Sequence, residues 1–212
     1  MNAIDICNLG LSMLGARSIL NFEDGDRGAR LKSLYPAARD HVLGRHQWTQ
    51  TLTYKKLTSR TEYEEGPWLY EYSLPLDCLR VISIFSPSPS TPVIWEKSGD
   101  KLLCNSSEPI LRYVQRLEDP TKMGIDIQQL IALKLAELMA MSISQQPRLA
   151  MQFTQKFELE FALARARDLD QAYPDTSGDE PWHKHIHRDQ SGVPYDWRKV
   201  IGSEADFEGG GP

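Results

Sequence analysis

The chain has few residues of the kinds that mark specialised chemistry. Among its 212 residues are three cysteines, Cys7, Cys78 and Cys104, an odd number in three separate apolar contexts. This spacing excludes a disulfide framework and a cysteine zinc motif, and it predicts reduced, buried thiols. No apolar run reaches the length of a membrane span, and the first residues lack the pattern of a signal peptide. The sequence therefore predicts a protein made and used on the cytosolic side, with no membrane partner.

The chain also lacks a strong charge of either sign. Its net charge is −5 at pH 7, so there is no overall basic footprint for nucleic acid. The excess acid lies near the C-terminus, where eight acidic and four basic residues follow Pro174, giving −4 there and −1 before it. A body this close to neutral suits a protein that packs against copies of itself.

Nucleotide and catalytic motifs are absent from the sequence. No glycine-rich loop follows a predicted strand, and the turn from Asp24 to Gly28 lacks the spacing of a nucleotide-binding motif. No Ser-His-Asp arrangement stands out either. One predicted helix carries five basic residues that could contact phosphates, although a solvated face with ion pairs is more common. These residues are Arg27, Arg30, Lys32, Arg39 and Arg45. We therefore predict no enzyme activity and no cofactor.

The histidines His183, His185 and His187 alternate, so in a strand they would share one face and could approach a metal ion. Without a cysteine or carboxylate beside them, a solvated, pH-sensitive patch is the better interpretation. We predict no metal site.

Two groups of acids have possible chemical meaning. The first, Glu62, Glu64 and Glu65, resembles the paired carboxylates of glycosidases, whose separation must be set in space. A solvated loop explains that group more simply. The second, Asp168 and Asp170, ends a predicted helix where negative charge is unfavourable. This position predicts exposure, or a basic partner across a subunit contact.

Helical spacing of apolar residues occurs at both ends of the predicted fold. We expect a first helix over residues 3–14, with Gly15 as its stop. A second helix, capped by Asp24 or Asp26, runs to about Arg45 and is kinked or split at Pro36. Two more helices cover about residues 126–144 and 147–171. The expected core stripes of these later helices are Ile127, Leu130, Ile131, Leu135 and Leu138, and then Ala150, Phe153, Phe157, Phe161 and Ala164.

The middle of the chain alternates apolar and polar residues, which is typical of strands. Strands are expected around Tyr70–Leu74 and Ile82–Ile84, followed by a loop over 86–92. Three more are expected at Val93–Glu96, Leu102–Cys104 and Ile110–Gln115, with a hairpin turn at Ser98-Gly99-Asp100.

The predicted fold class is α+β, a four-helix bundle with an inserted small antiparallel β domain and an extended C-terminal arm. The expected divisions are residues 1–47 and 120–173 for the bundle, 48–119 for the β domain and 174–212 for the arm. The arm is polar, yet it carries Trp182, Tyr195 and Trp197. Aromatic residues spaced along a polar arm suggest anchors that dock on a partner, although they could instead fold back on the same subunit.

The order of these helices and strands, together with several segments of the sequence, resembles that of a known protein family. The segments NLGLSMLGARSI (8–19), DGDRGARL (24–31), YPAARDHVLGRHQW (35–48) and WLYEYSLPLDCLRVISI (68–84), with a late helical pair, are similar to the tail tubular protein A family of short-tailed phages. The resemblance covers about residues 3–170, and its strongest parts are the RD-plus-HQW and YSLPLDCLRV segments.

The resemblance implies a structural adaptor in the tail of the virion, assembled in the host cytoplasm. Such proteins form a twelve-membered ring between the portal protein and the tail nozzle protein. The ring surrounds the channel through which genome DNA passes without sequence recognition, and tail fibres dock nearby. Some members have been discussed as polysaccharide hydrolases, so a tail-associated glycan hydrolase is the alternative function.

Overall fold

Along the chain, two helices precede a run of β-strands and two more helices follow it. The protein is described here by a computed structural model covering residues 1–64, 66–86, 93–144 and 147–172. Within these ranges there are four α-helices and two antiparallel sheets, so the expected mixture of helices and antiparallel strands is confirmed. The anchors Trp182, Tyr195 and Trp197 and the histidines at 183, 185 and 187 lie outside the described residues.

The helices are α1 (Ala3–Met13), α2 (Gly25–Arg45), α3 (Ile125–Ser144) and α4 (Pro147–Ala172). The first begins with a reciprocal cap, in which Asn2 Oδ1 accepts from the Asp5 amide and Asp5 Oδ2 accepts from the Asn2 amide. It ends as predicted before Gly15, whose amide donates to Ser12. The positions of all four helices confirm the sequence predictions.

Helix α2 differs from its prediction in two respects. It is one continuous helix through Pro36, so of the two expected outcomes the split is wrong, and the kink stays a prediction. Burial of Leu31, Ala38 and Val42 on both sides of Pro36 stabilises the helix against the missing hydrogen bond. Asp24 is at the cap position, but its side chain makes no capping bond and instead accepts from the amide of Leu20.

The strands are β1 (Leu52–Lys56), β2 (Arg60–Glu62), β3 (Tyr70–Ser73), β4 (Cys78–Phe85), β5 (Trp95–Ser98), β6 (Lys101–Cys104) and β7 (Ile110–Gln115). One sheet has the order β1-β7-β4 and the other has the order β2-β3-β6-β5. The hairpin turn between β5 and β6 is confirmed, with Gly99 at φ 61°, where glycine is favoured. β5 begins two residues later than the strand expected at Val93–Glu96.

The described chain forms two compact units, each with its own core. Unit 1 contains residues 1–54, 75–82 and the chain from Arg112 onward, and unit 2 contains Lys55–Leu74 and Ser83–Leu111. In unit 1, α3 packs against each of the other three helices. In unit 2, the four-stranded sheet buries Tyr72, Leu102 and Cys104. The predicted division at residues 48, 120 and 174 stays a prediction.

Candidate functional site

An extended network of polar side chains lies in unit 1, where α2 meets the residue that follows β7. Arg39 Nε donates to Asp40 Oδ1 over 2.8 Å, and Arg116 Nε donates to Asp40 Oδ2 over 2.9 Å. The Arg39 side chain is almost fully buried, whereas Asp40 and Arg116 are about one-third exposed or less. One carboxylate therefore holds two guanidinium groups at the surface of the helical core. Such an arrangement neutralises buried charge.

Arg116 extends this connection to the loop between β3 and β4. Its amide donates to the carbonyl of Asp77 over 2.7 Å, and its Nη1 donates to the carbonyl of Leu76. The Asp77 carboxylate in turn accepts from Tyr113 Oη and Gln115 Nε2, at 3.2 and 2.7 Å. Burial, followed by the nearby Asp77 charge, raises the pKa of Tyr113 to about 12. We call Arg39, Asp40, Asp77, Gln115 and Arg116, together with Tyr113, the Arg116 junction.

A second polar group fixes the end of α2 to α4. His46 Nε2 lies 3.1 Å from Asp168 Oδ2, and the imidazole donates because a carboxylate only accepts. The amide and hydroxyl of Thr49 donate to the same carboxylate, the hydroxyl over 2.8 Å. Asp168 is only 7% exposed. The prediction that Asp168 is exposed or paired across a subunit contact is therefore wrong, because three donors of its own chain satisfy it. Asp170 is exposed as expected.

His46 is held neutral by its surroundings. Burial lowers the pKa of its imidazole and outweighs the opposing effect of Asp168, and the charges of Arg165 and Arg80 lower it further. The ring also meets the edge of Trp48, with centroids 4.8 Å apart. Trp48 is itself buried and donates from Nε1 to the carbonyl of Val42. The HQW segment therefore closes α2 onto the helical core.

Thr49, His46 and Asp168 contain the residue types of a nucleophile, a base and an acid, so their geometry needs comparison with a catalytic triad. In such a triad the nucleophile hydrogen-bonds to the base and the base to the acid. Here Thr49 and His46 both hydrogen-bond to Asp168. The threonine hydroxyl donates its hydrogen bond to the carboxylate and none to His46, so this arrangement holds structure and does not activate Thr49.

Arg45 makes a further contact between α2 and α4. Its two terminal nitrogens donate to the two carboxylate oxygens of Glu158 over 2.7 and 3.0 Å. The guanidinium lies 4.4 Å from the ring centroid of Phe161 and 5.5 Å from that of Phe157. The hydrogen bonds from Arg45 lower the pKa of Glu158. This basic residue is thus used in helix packing, as Arg39 is, and neither is free to contact phosphates.

The other candidate residues for which the structure gives a position do not assemble into a chemical site. Glu62 and Glu64 are exposed, whereas a carboxyl group that acts as a general acid near neutral pH needs burial to raise its pKa. Glu65 lies outside the described residues. Among the residues that the structure describes, no three His, Cys, Asp or Glu side chains could hold one metal ion.

None of the three cysteines forms a disulfide, and the prediction of buried thiols holds for Cys7 and Cys104 but not for Cys78. Cys7 and Cys104 are fully buried, and Cys78 is half-buried. Burial raises the pKa of Cys7 to about 12 and also raises that of Cys104. Such thiols are unreactive at neutral pH. No helix in the described part of the chain is both long and apolar enough to cross a membrane.

The chain was compared with models of known protein families and with curated proteins. No model of a known protein family matches the chain, and no curated protein matches it.

The sequence analysis named Asp168 but placed it wrongly, and it did not single out Arg116. Asp168 continues the helical spacing of Phe153, Phe157, Phe161 and Ala164, which are all buried. That spacing is a signal that could have predicted its burial. Arg116 had no such signal, since nothing in its local sequence relates it to a carboxylate 76 positions earlier.

Proposed function

We propose that this protein is a structural head-to-tail adaptor of a short-tailed phage, forming a ring between the portal and the tail nozzle around the DNA channel. The observation that carries the proposal is the Arg116 junction. The two segments with the strongest resemblance to the tail tubular protein A family contribute Asp40 and Asp77, and Arg116 contacts both of them. These segments therefore act in packing, which is what a building block of an assembly requires.

In this proposal the four helices are a bundle that carries an inserted β domain, and rings form by side-by-side packing of the bundles. Residues 174–212 are an arm that engages the portal or the adjacent subunit through Trp182, Tyr195 and Trp197. A nearly neutral body supports close packing, because like charges repeated at every contact would repel one another.

The experiment is to measure the native mass of the full chain, alone and mixed with the portal ring of the phage that encodes it, and then to image the particles. A ring of about twelve copies on the portal (the number that the resemblance implies, for a closed cyclic assembly) is the expected result. A monomer that ignores the portal would overturn the proposal. It would also revive the glycan hydrolase alternative, which a capsule-release assay with Glu62→Gln and Glu64→Gln variants then tests.

The arm is tested separately in the full chain. Replacing Trp182, Tyr195 and Trp197 together by alanine is expected to weaken portal binding at least about tenfold, since aromatic anchors dominate such contacts. Phe207→Ala is the matched control, an aromatic residue of the same segment that is not among the proposed anchors. Equal portal affinity of the triple variant and the control would show that the arm does not dock through these residues.

A further inference from the structure

We draw no further inference here: the strongest candidate, the cleft between the start of α2 and the end of α3 in unit 1, is lined by two exposed aspartates as well as three arginines, and none of the residues that line it has a buried, unpartnered polar atom to show what it binds.

Discussion

Arg116 Nε donates to Asp40 Oδ2 over 2.9 Å and so connects the residue after β7 to the C-terminal half of α2. Both residues belong to unit 1 and are 76 positions apart in sequence. The same carboxylate accepts from the nearly buried Arg39. Removing its charge would leave two guanidinium groups facing each other without an anion between them.

Asp40→Asn is therefore expected to lower the free energy of unfolding by about 1–3 kcal/mol, the range for losing hydrogen bonds to charged groups. Urea unfolding followed by circular dichroism measures the change. Glu23→Gln is the control, since it removes one charge from the exposed Lys32–Glu23 pair, and it should change stability by less than about 1 kcal/mol. Equal effects of the two substitutions would show that the Arg116 junction contributes nothing beyond a surface ion pair.

The neutral state of His46 predicts a pH dependence. Its pKa is lowered in the folded protein, mainly by burial, so the unfolded chain binds the proton more readily. The contribution of His46 to stability is complete above the pKa that its imidazole has in the unfolded chain, about 6.5. It is lost as the pH falls below about 6.5 towards the lower pKa of the imidazole in the folded protein.

His46→Gln should make stability less sensitive to pH below about 6.5, because glutamine does not titrate. Urea midpoints of the native chain and the variant, compared above and below that value, measure the difference. The pKa of His41 is also lowered, but His41 is present in both chains and its contribution cancels. Parallel pH profiles would contradict the burial of a neutral His46.

Gly10 marks the closest approach of α1 to α3. A Cβ atom there would lie 2.8 Å from the carbonyl oxygen of Ala132 and 3.4 Å from Leu135 Cβ. Gly10→Ala should therefore destabilise the protein by about 1–3 kcal/mol through overpacking. Gly44→Ala in α2 is the matched control, because a Cβ there meets nothing within 4 Å. It should stabilise the helix by up to about 1 kcal/mol. A stabilising Gly10→Ala would show that the two helices can separate without loss.

The thiols should react in a defined order. A pKa of about 12 for Cys7, against an ordinary 9.0, leaves roughly a thousandfold less thiolate near neutral pH. In the folded protein a thiol reagent should therefore modify Cys78 first, with Cys7 and Cys104 reacting only after denaturation. Mass spectrometry of modified peptides identifies the sites, and Cys78→Ser should abolish the fast reaction. Early modification of Cys7 would contradict its burial.

Local elements of the fold could be predicted from the sequence because their signals are local. The apolar spacing of Cys7 and Leu11 and the phenylalanines of α4 specified helices that the structure contains. The alternation in Ile110–Gln115 specified β7. Errors occurred where packing overrides a local rule, as at Pro36, which α2 passes through unbroken. Leu138 was expected in the core stripe of α3, but it is 39% exposed.

The polar networks could not be predicted in the same way. A helix-dipole argument placed Asp168 in solvent, whereas three donors from residues 46–49, more than a hundred positions earlier, hold it in the interior. Which residues meet across such a separation depends on tertiary packing, and a single sequence carries no direct signal of it.

The central position of α3 has a consequence for how the protein is made. Helices α1 and α2 leave the ribosome first, yet both pack against α3, which begins only at Ile125. At 5–20 residues per second, synthesis of the chain from the end of α2 to the end of α3 takes roughly 5–20 s. During that interval the apolar faces of the first two helices have no final partner. During synthesis, therefore, the faces of α1 and α2 that later form the core stay without their packing on α3 until more than half of the chain has been made.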